Sequence, residues 1–386
     1  MNKQNPEQDQ PISLYQSHAV IVSTIIGVGV ISMQRGIAKE VGPDGIWTIL
    51  IGGLIVLVEI VLITRLMQKF PGKTLAQFSS ELLSFGKKRW LGKVLSIPLL
   101  VGIGWYWLLT IAIVTRTFSE VAISAVFPQT PMEVFMITML GSACFAAGQR
   151  PELIARFNEF LMPFLFIPGL LILTAWMEAG DWENLLPMFQ VTDWKKFLQG
   201  MLTSAYSYSG YSVLFVYMAY YQQPKKAMRA HILATGTVIV GYWVTIAASI
   251  SIFGPFELAN LMWPTLDLIK QVEVPGQILS RLESAIIGIW VVAVFTTLVN
   301  MFGVLVDISL TTFNLEERFR KWLAWGSLPF GYLVANRPAN LEQLFRWNDL
   351  AGIYEIVMTL VIILILSILT RLRADKKGDQ NASSSA

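Results

Sequence analysis

Charge and cysteine are what this sequence has least of. Only 14% of its 386 residues are charged, where a soluble domain carries about a quarter. One Cys excludes a disulfide framework, because a bridge needs two thiols. One Cys and two His cannot build an ordinary His/Cys zinc site, so neither metal nor cofactor is expected. A net charge of +3 is too small for a nucleic-acid footprint. There is no GxxxxGK[ST] loop for a primary pump and no GxSxG turn for a hydrolase, so nothing supports an enzyme. What is there instead is apolar: 54% of residues are hydrophobic and the mean hydropathy is +0.56. These residues come in repeated uninterrupted runs, and about 20 of them suffice to cross a bilayer as a helix. The chain reads as an all-α membrane protein.

Ten transmembrane helices are expected, at 14–37, 45–66, 95–118, 134–147, 160–176, 197–220, 232–253, 285–310, 322–334 and 350–369. They form one transmembrane domain over 1–373, followed by a polar, Ser-ended tail at 374–386 that is expected to be disordered. The first run is no signal peptide: it is too long, has no basic start, and leads into Gln34-Arg35 instead of a small-residue cleavage site. Lys and Arg concentrate in alternate loops, around 65–93, 150–156, 225–229, 318–321 and 371–377. The positive-inside rule then puts both termini in the cytoplasm. Two loops read as structured. In the inner stretch 74–86, Leu75, Phe78, Leu82 and Leu83 form a helical apolar stripe suited to an interface. The outer stretch 255–284, with Leu258, Leu261, Met262 and Trp263, is expected to fold back over the extracellular mouth.

Two spans are interrupted at their middles. The first is interrupted over Ile25-Ile26-Gly27-Val28-Gly29-Val30-Ile31-Ser32, and the sixth over the polar run Thr203-Ser204-Ala205-Tyr206-Ser207-Tyr208-Ser209-Gly210-Tyr211-Ser212. In a five-plus-five division these are the first helices of the two halves, and transporters place broken helices at such matched positions around a midplane binding site. Gly-x-Gly alone also serves as a close-packing device; the agreement of position carries the reading. Broken backbone offers N–H groups to a carboxylate and carbonyls to an ammonium, which suits a zwitterionic amino acid or an uncharged polar nutrient.

Ionisable groups in the core are costly and therefore informative. Glu59, midway along the second span, is the one carboxylate expected deep in the core and the candidate for gating or proton coupling. Asp307, Arg116 and His18 are placed at helix ends within reach of water. Trp105 and Tyr106 in the third span are candidates to close a pocket, with helix packing and lipid contact as the alternative. Thr296, Thr297 and Asn300 put polar groups on the eighth span. Threonine hydroxyls commonly satisfy their own helix's carbonyls, and a sodium site is open but unsupported. The pocket itself is expected to hold almost no charge.

Several segments together resemble the spore germination permeases, the B subunits of endospore nutrient-germinant receptors within the amino acid–polyamine–organocation superfamily. They are Gly27-Val28-Gly29 with Arg35, Pro43-Asp44-Gly45, Thr115-Arg116, Leu261-Met262-Trp263-Pro264-Thr265, Arg281-Leu282-Glu283-Ser284 and Phe295-Thr296-Thr297. The resemblance covers nearly the whole chain, and the Trp-Pro-Thr stretch with the later Arg-x-Glu-Ser is its most specific part. It implies a LeuT-like 5+5 inverted repeat with broken helices 1 and 6, and ligand held between the first, third, sixth and eighth spans. Carried onto this sequence, the ligand-binding residues are Gly27, Val28, Gly29, Tyr106, Thr110, Ser207, Tyr208, Ser209, Gly210, Tyr211, Thr296 and Thr297. It further implies a nutrient-sensing subunit of the inner spore membrane, partnered by A and C subunits. The alternative is an amino acid secondary transporter working by alternating access. The sixth-span Tyr208-Ser209-Gly210 is more polar than the Phe-Leu-Gly of some family members.

Overall fold

The structure is a computed structural model that describes residues 10–30, 33–84, 89–186, 193–271 and 282–384. Among these it is helical, with a single isolated β-bridge between Ile12 and Tyr221. Six helical stretches are long and apolar enough to cross a membrane, and shorter apolar ones lie at Leu14–Gly27, Met132–Ala147 and Tyr211–Tyr220.

The ten expected spans map onto the helices in order. The first is α1 (Leu14–Gly29) followed by α2 (Met33–Val41). The next three are α3 (Gly45–Met67), α5 (Arg89–Ala125) and α6 (Met132–Ala147). Between α3 and α5 lies α4 (Leu75–Leu83), which buries Leu75, Phe78 and Leu82 of the expected stripe. The fifth span is α7 (Pro151–Leu161) and α8 (Phe166–Ala179), joined by a short 3₁₀ turn at Met162–Leu165. Pro163 in that turn cannot supply a helical N–H, which splits the span. The sixth is α9 (Trp194–Tyr206), then a turn, then a helical segment Tyr211–Tyr220 centred on α10 (Leu214–Tyr217). The seventh, α11 (Ala227–Leu258), kinks where Gly254 takes φ +69° ahead of Pro255. After the short α12 (Pro264–Ile269) come α13 (Leu282–Phe313), α14 (Arg320–Ala335) and α15 (Leu341–Ser384). The backbone of α15 stays helical to Ser384, into the tail whose composition predicts disorder.

Packing follows a five-plus-five exchange. The first span packs on the seventh as the second packs on the sixth (α1 on α11, α3 on α9). The second and seventh (α3, α11) and the third and eighth (α5, α13) face each other directly. Each pairing is therefore its own partner or another's under exchange of the two halves.

Local sequence explains the entry of the first span. Ser13 caps α1 by accepting from the Gln16 N–H at 3.1 Å while Gln16 Oε1 takes the Ser13 N–H at 2.9 Å, a capping box. Immediately before it, Ile12 donates to the Tyr220 carbonyl at 2.8 Å and accepts from the Gln222 N–H at 2.9 Å. This bridge ties the start of the first span to the end of the sixth, at the basic end of the bundle. At the opposite end α12 packs against α11, α8, α2 and α13, and 272–281 of the expected outer stretch lie outside the described residues. Trp263 is buried and donates through Nε1 to Ser124 Oγ at 3.1 Å, and the Thr265 hydroxyl donates to the Val30 carbonyl.

Candidate functional site

The sixth span breaks because its hydroxyl-rich run does not sustain a helix. Beyond Tyr206 the chain makes tight turns, with Tyr208 N–H on the Ala205 carbonyl at 3.1 Å and Ser209 N–H on the Tyr206 carbonyl at 3.0 Å. Gly210 then adopts φ +116°, a left-handed conformation that only glycine takes without strain. The turn leaves the N–H groups of Gly210 and Ser212 without helical acceptors, and both donate to Glu355 of α15, at 2.9 and 3.1 Å. The Tyr106 hydroxyl donates to the same carboxylate at 2.7 Å. Ser212 is fixed in turn by Trp107 Nε1 at 3.0 Å. Tyr208 reaches back to the Ile49 carbonyl at 3.0 Å, and the Tyr211 hydroxyl donates to Glu59 Oε2 at 2.5 Å. All of these side chains are buried.

The first span approaches this turn closely. A Cβ on Gly29 would overlap the Ser207 carbonyl, and one on Gly27 would overlap Thr297 Oγ1 and the Ala293 carbonyl of α13. The Thr297 hydroxyl lies 3.0 Å from the carbonyls of both Ser23 and Thr24, and Tyr242 donates to the Ile25 carbonyl at 3.0 Å. The carbonyls in the latter half of α1 are thus met by hydroxyls from α13 and α11. Asn300, a turn further along α13, donates to Thr24 Oγ1 at 2.7 Å and pairs with Asn158 of α7.

The expected residues therefore divide into two groups. Tyr106, Gly210 and Tyr211 meet around Glu355 and Glu59, with Thr110 buried one turn along α5 from Tyr106 and with Ser207, Tyr208 and Ser209 forming the turn itself. Gly27, Gly29 and Thr297 form the packing seam between α1, α13 and the turn. Val28 lies between the two glycines, its side chain outside the described residues. Thr296 bonds the Ala293 carbonyl of its own helix at 2.9 Å, the ordinary alternative for a helical threonine.

Two expectations need correction and two are refined. The break in the first span lies within the expected stretch 25–32 but past its glycines: α1 runs through Gly29, and α2 begins at Met33, with 31 and 32 outside the described residues. The two glycines are spent on close approach instead, which a regular helix permits. Asp307 is not within reach of water. It is buried, salt-bridged to Arg320 at 2.8 Å and bonded by the Tyr220 hydroxyl at 2.8 Å, because the turn into α14 folds Arg320 back over it. Arg320 also binds Glu317 in that turn at 2.7 Å, which holds the Glu317 carboxyl below its usual range. Trp105 and Tyr106 divide between the two readings offered for them: Trp105 is half exposed, which fits the lipid-contact alternative, while Tyr106 is fully buried. Finally, Glu59 is not the one deep carboxylate. Glu355 is buried too, and the site holds more charge than expected. The signal for it stood in the sequence, a lone acid in the apolar stretch Gly352-Ile353-Tyr354-Glu355-Ile356-Val357, governed by the same rule that marked Glu59. Arg281 lies outside the described residues, as do the side chains of Leu282, Glu283 and Ser284.

A vestibule of about 220 Å³ lies between α2, α9 and α15 on the end opposite the basic loops. Its floor includes Gly29 and Ser207, and Arg35, Lys39, Glu40, Arg346 and Asp349 stand among its walls. It gives polar access from that end to the junction of the two broken spans.

Comparison with known proteins agrees with this architecture. A family model described as "Spore germination protein" matches residues 11–338. Spore germination protein YndE of Bacillus subtilis is 26% identical over 375 residues, covering 96% of this chain and 98% of that protein. Spore germination protein GerLB of Bacillus cereus is 25% identical, covering 97% and 98%. Among solved structures, a Na+-coupled sialic acid symporter in a substrate-bound outward-open state aligns with a TM-score of 0.66, covering 92% of this chain and 78% of that one at 13% identity. MhsT in complex with L-phenylalanine aligns at 0.55, covering 92% and 98%, also at 13% identity. The fold is that of LeuT-type transporters.

Proposed function

This chain belongs to the spore germination protein family, and on that footing we propose that it is the nutrient-binding subunit of a spore germinant receptor. A small nutrient, an amino acid or a neutral germinant, enters by the vestibule and binds at the junction of the first and sixth spans. Binding favours one of two arrangements of the bundle, since a ligand shifts a conformational equilibrium only by its differential affinity for the two states. Partner subunits, the A and C subunits of the receptor, read that shift in the inner spore membrane, with both termini of this chain cytoplasmic. No catalysis is involved. The observation that carries the ligand site is the sixth-span turn, whose N–H groups at Gly210 and Ser212 converge with Tyr106 on one carboxylate position. Full-length similarity to germination proteins supports the process. Nutrient profiling of spores tests it: those lacking this chain are expected to lose the response to one nutrient class and keep the rest. Identical profiles with and without the chain would remove the assignment.

The competing reading, transport of an amino acid by alternating access, draws on the same broken spans. It differs in requiring net movement of solute, which a receptor does not need.

A further inference from the structure

The N–H groups that open the second half of a broken helix are oriented toward negative charge. In this chain they are met from within. Glu355 Oε2 accepts from the Gly210 N–H at 2.9 Å and the Tyr106 hydroxyl at 2.7 Å, and Oε1 accepts from the Ser212 N–H at 3.1 Å. The side chain is fully buried, and its hydrogen-bond donors are amides and a hydroxyl rather than a base. These donors come from α5 and the sixth span, whereas the acceptor comes from α15, so one carboxylate ties three spans together. The position is a shaped anion seat, since Gly210 turns its amide inward only by adopting φ +116° and Trp107 holds Ser212 in place.

A second observation lies beside it. Glu59 is 2% exposed, and although its Oε2 accepts from Tyr211, its Oε1 has no partner among the described residues. Tyr211 sits between the two amides of the seat. An unanswered carboxylate oxygen joined to the anion seat through Tyr211 offers an acceptor for the ammonium of a zwitterion whose carboxylate faces the amides.

We propose that Glu355 is a tethered stand-in for the carboxylate of a small zwitterionic ligand, seated on the Gly210 and Ser212 amides in the resting protein and displaced when such a ligand binds. The proposal rests on the reading of this turn as the nutrient site. It gives binding a mechanical output, because displacement removes the one carboxylate that bonds α15 to both the third and the sixth spans.

The seat is tested without spores, using propionate as a free carboxylate and propionamide as its uncharged counterpart. In purified Glu355→Ala protein, propionate at high millimolar concentration is expected to raise the thermal unfolding midpoint by a few degrees. Propionamide is expected to leave it unchanged, and neither compound should shift the wild type. Glu355→Gln keeps the side-chain volume and is expected to show a smaller propionate shift; it decides the matter if the Ala variant does not fold. A folded variant that is indifferent to propionate, or that responds equally to propionamide, overturns the proposal. Because the readout is the seat alone, propionate binding in a protein whose loss leaves spore responses intact would refute the receptor role and not the seat.

Discussion

Arg320→Ala is expected to destabilise the folded protein by about 3–5 kcal/mol, the usual consequence of removing one partner from a buried ion pair. The side chains of Arg320 and Asp307 are 3% and 1% exposed and 2.8 Å apart. The pair is not isolated: Tyr220 at the end of the sixth span donates to the same Asp307 oxygen that Arg320 holds, and Glu317 accepts from the guanidinium's Nε and from the same Nη2 that binds Asp307. Without Arg320, Asp307 would remain as an uncompensated charge among packed helices. The measurement is the thermal midpoint of the detergent-solubilised variant, together with its level in the membrane. Replacing both residues by Leu should recover most of the loss, because an apolar pair of similar volume leaves no buried charge. A double variant as unstable as the single would mean that the network contributes more than charge neutralisation.

Gly27→Leu is expected to abolish the nutrient response. Even Gly27→Ala places a Cβ against the Ala293 carbonyl and Thr297 Oγ1, and backbone yields less readily than a flexible side chain. Overpacking of this kind costs on the order of 1–3 kcal/mol, and the larger side chain must push α1 from α13 altogether. That movement would also strip the Ser23 and Thr24 carbonyls of the Thr297 hydroxyl. Gly236→Ala is the matched control, since a Cβ there meets nothing within 4 Å. The checks are the nutrient dose-response of spores carrying each variant and the amount of protein inserted. A normal response from the Gly27→Leu variant would show that the α1–α13 seam does not govern sensing.

The scaffold was largely legible because hydropathy and charge act over whole segments. Runs of apolar residues and the sorting of Lys and Arg place ten helices, and α4 is visible as an apolar stripe within an inner loop. The sixth-span turn was legible for a local reason, its run of hydroxyls around Gly210. The break in the first span falls within the stretch its sequence marks, but Gly-x-Gly has two uses, unwinding and close approach, and only the neighbouring backbone of Ser207 and Ala293 shows that these glycines serve close approach. Glu355 is marked by the same rule as Glu59, a lone acid in an apolar run; what the sequence does not carry is its partners, 143, 145 and 249 residues away. Asp307 was misjudged for a similar reason. A charge near a helix end normally meets water, and only the fold of the following turn brings Arg320 over it.

Uptake of radiolabelled amino acids into sealed vesicles containing this chain alone separates a subunit that senses a nutrient and signals to partners from one that moves it. The expected result is binding that saturates with the amount of protein and no accumulation in the vesicle lumen. Accumulation of solute in the lumen, driven by an imposed ion gradient, would contradict the account and establish a transporter.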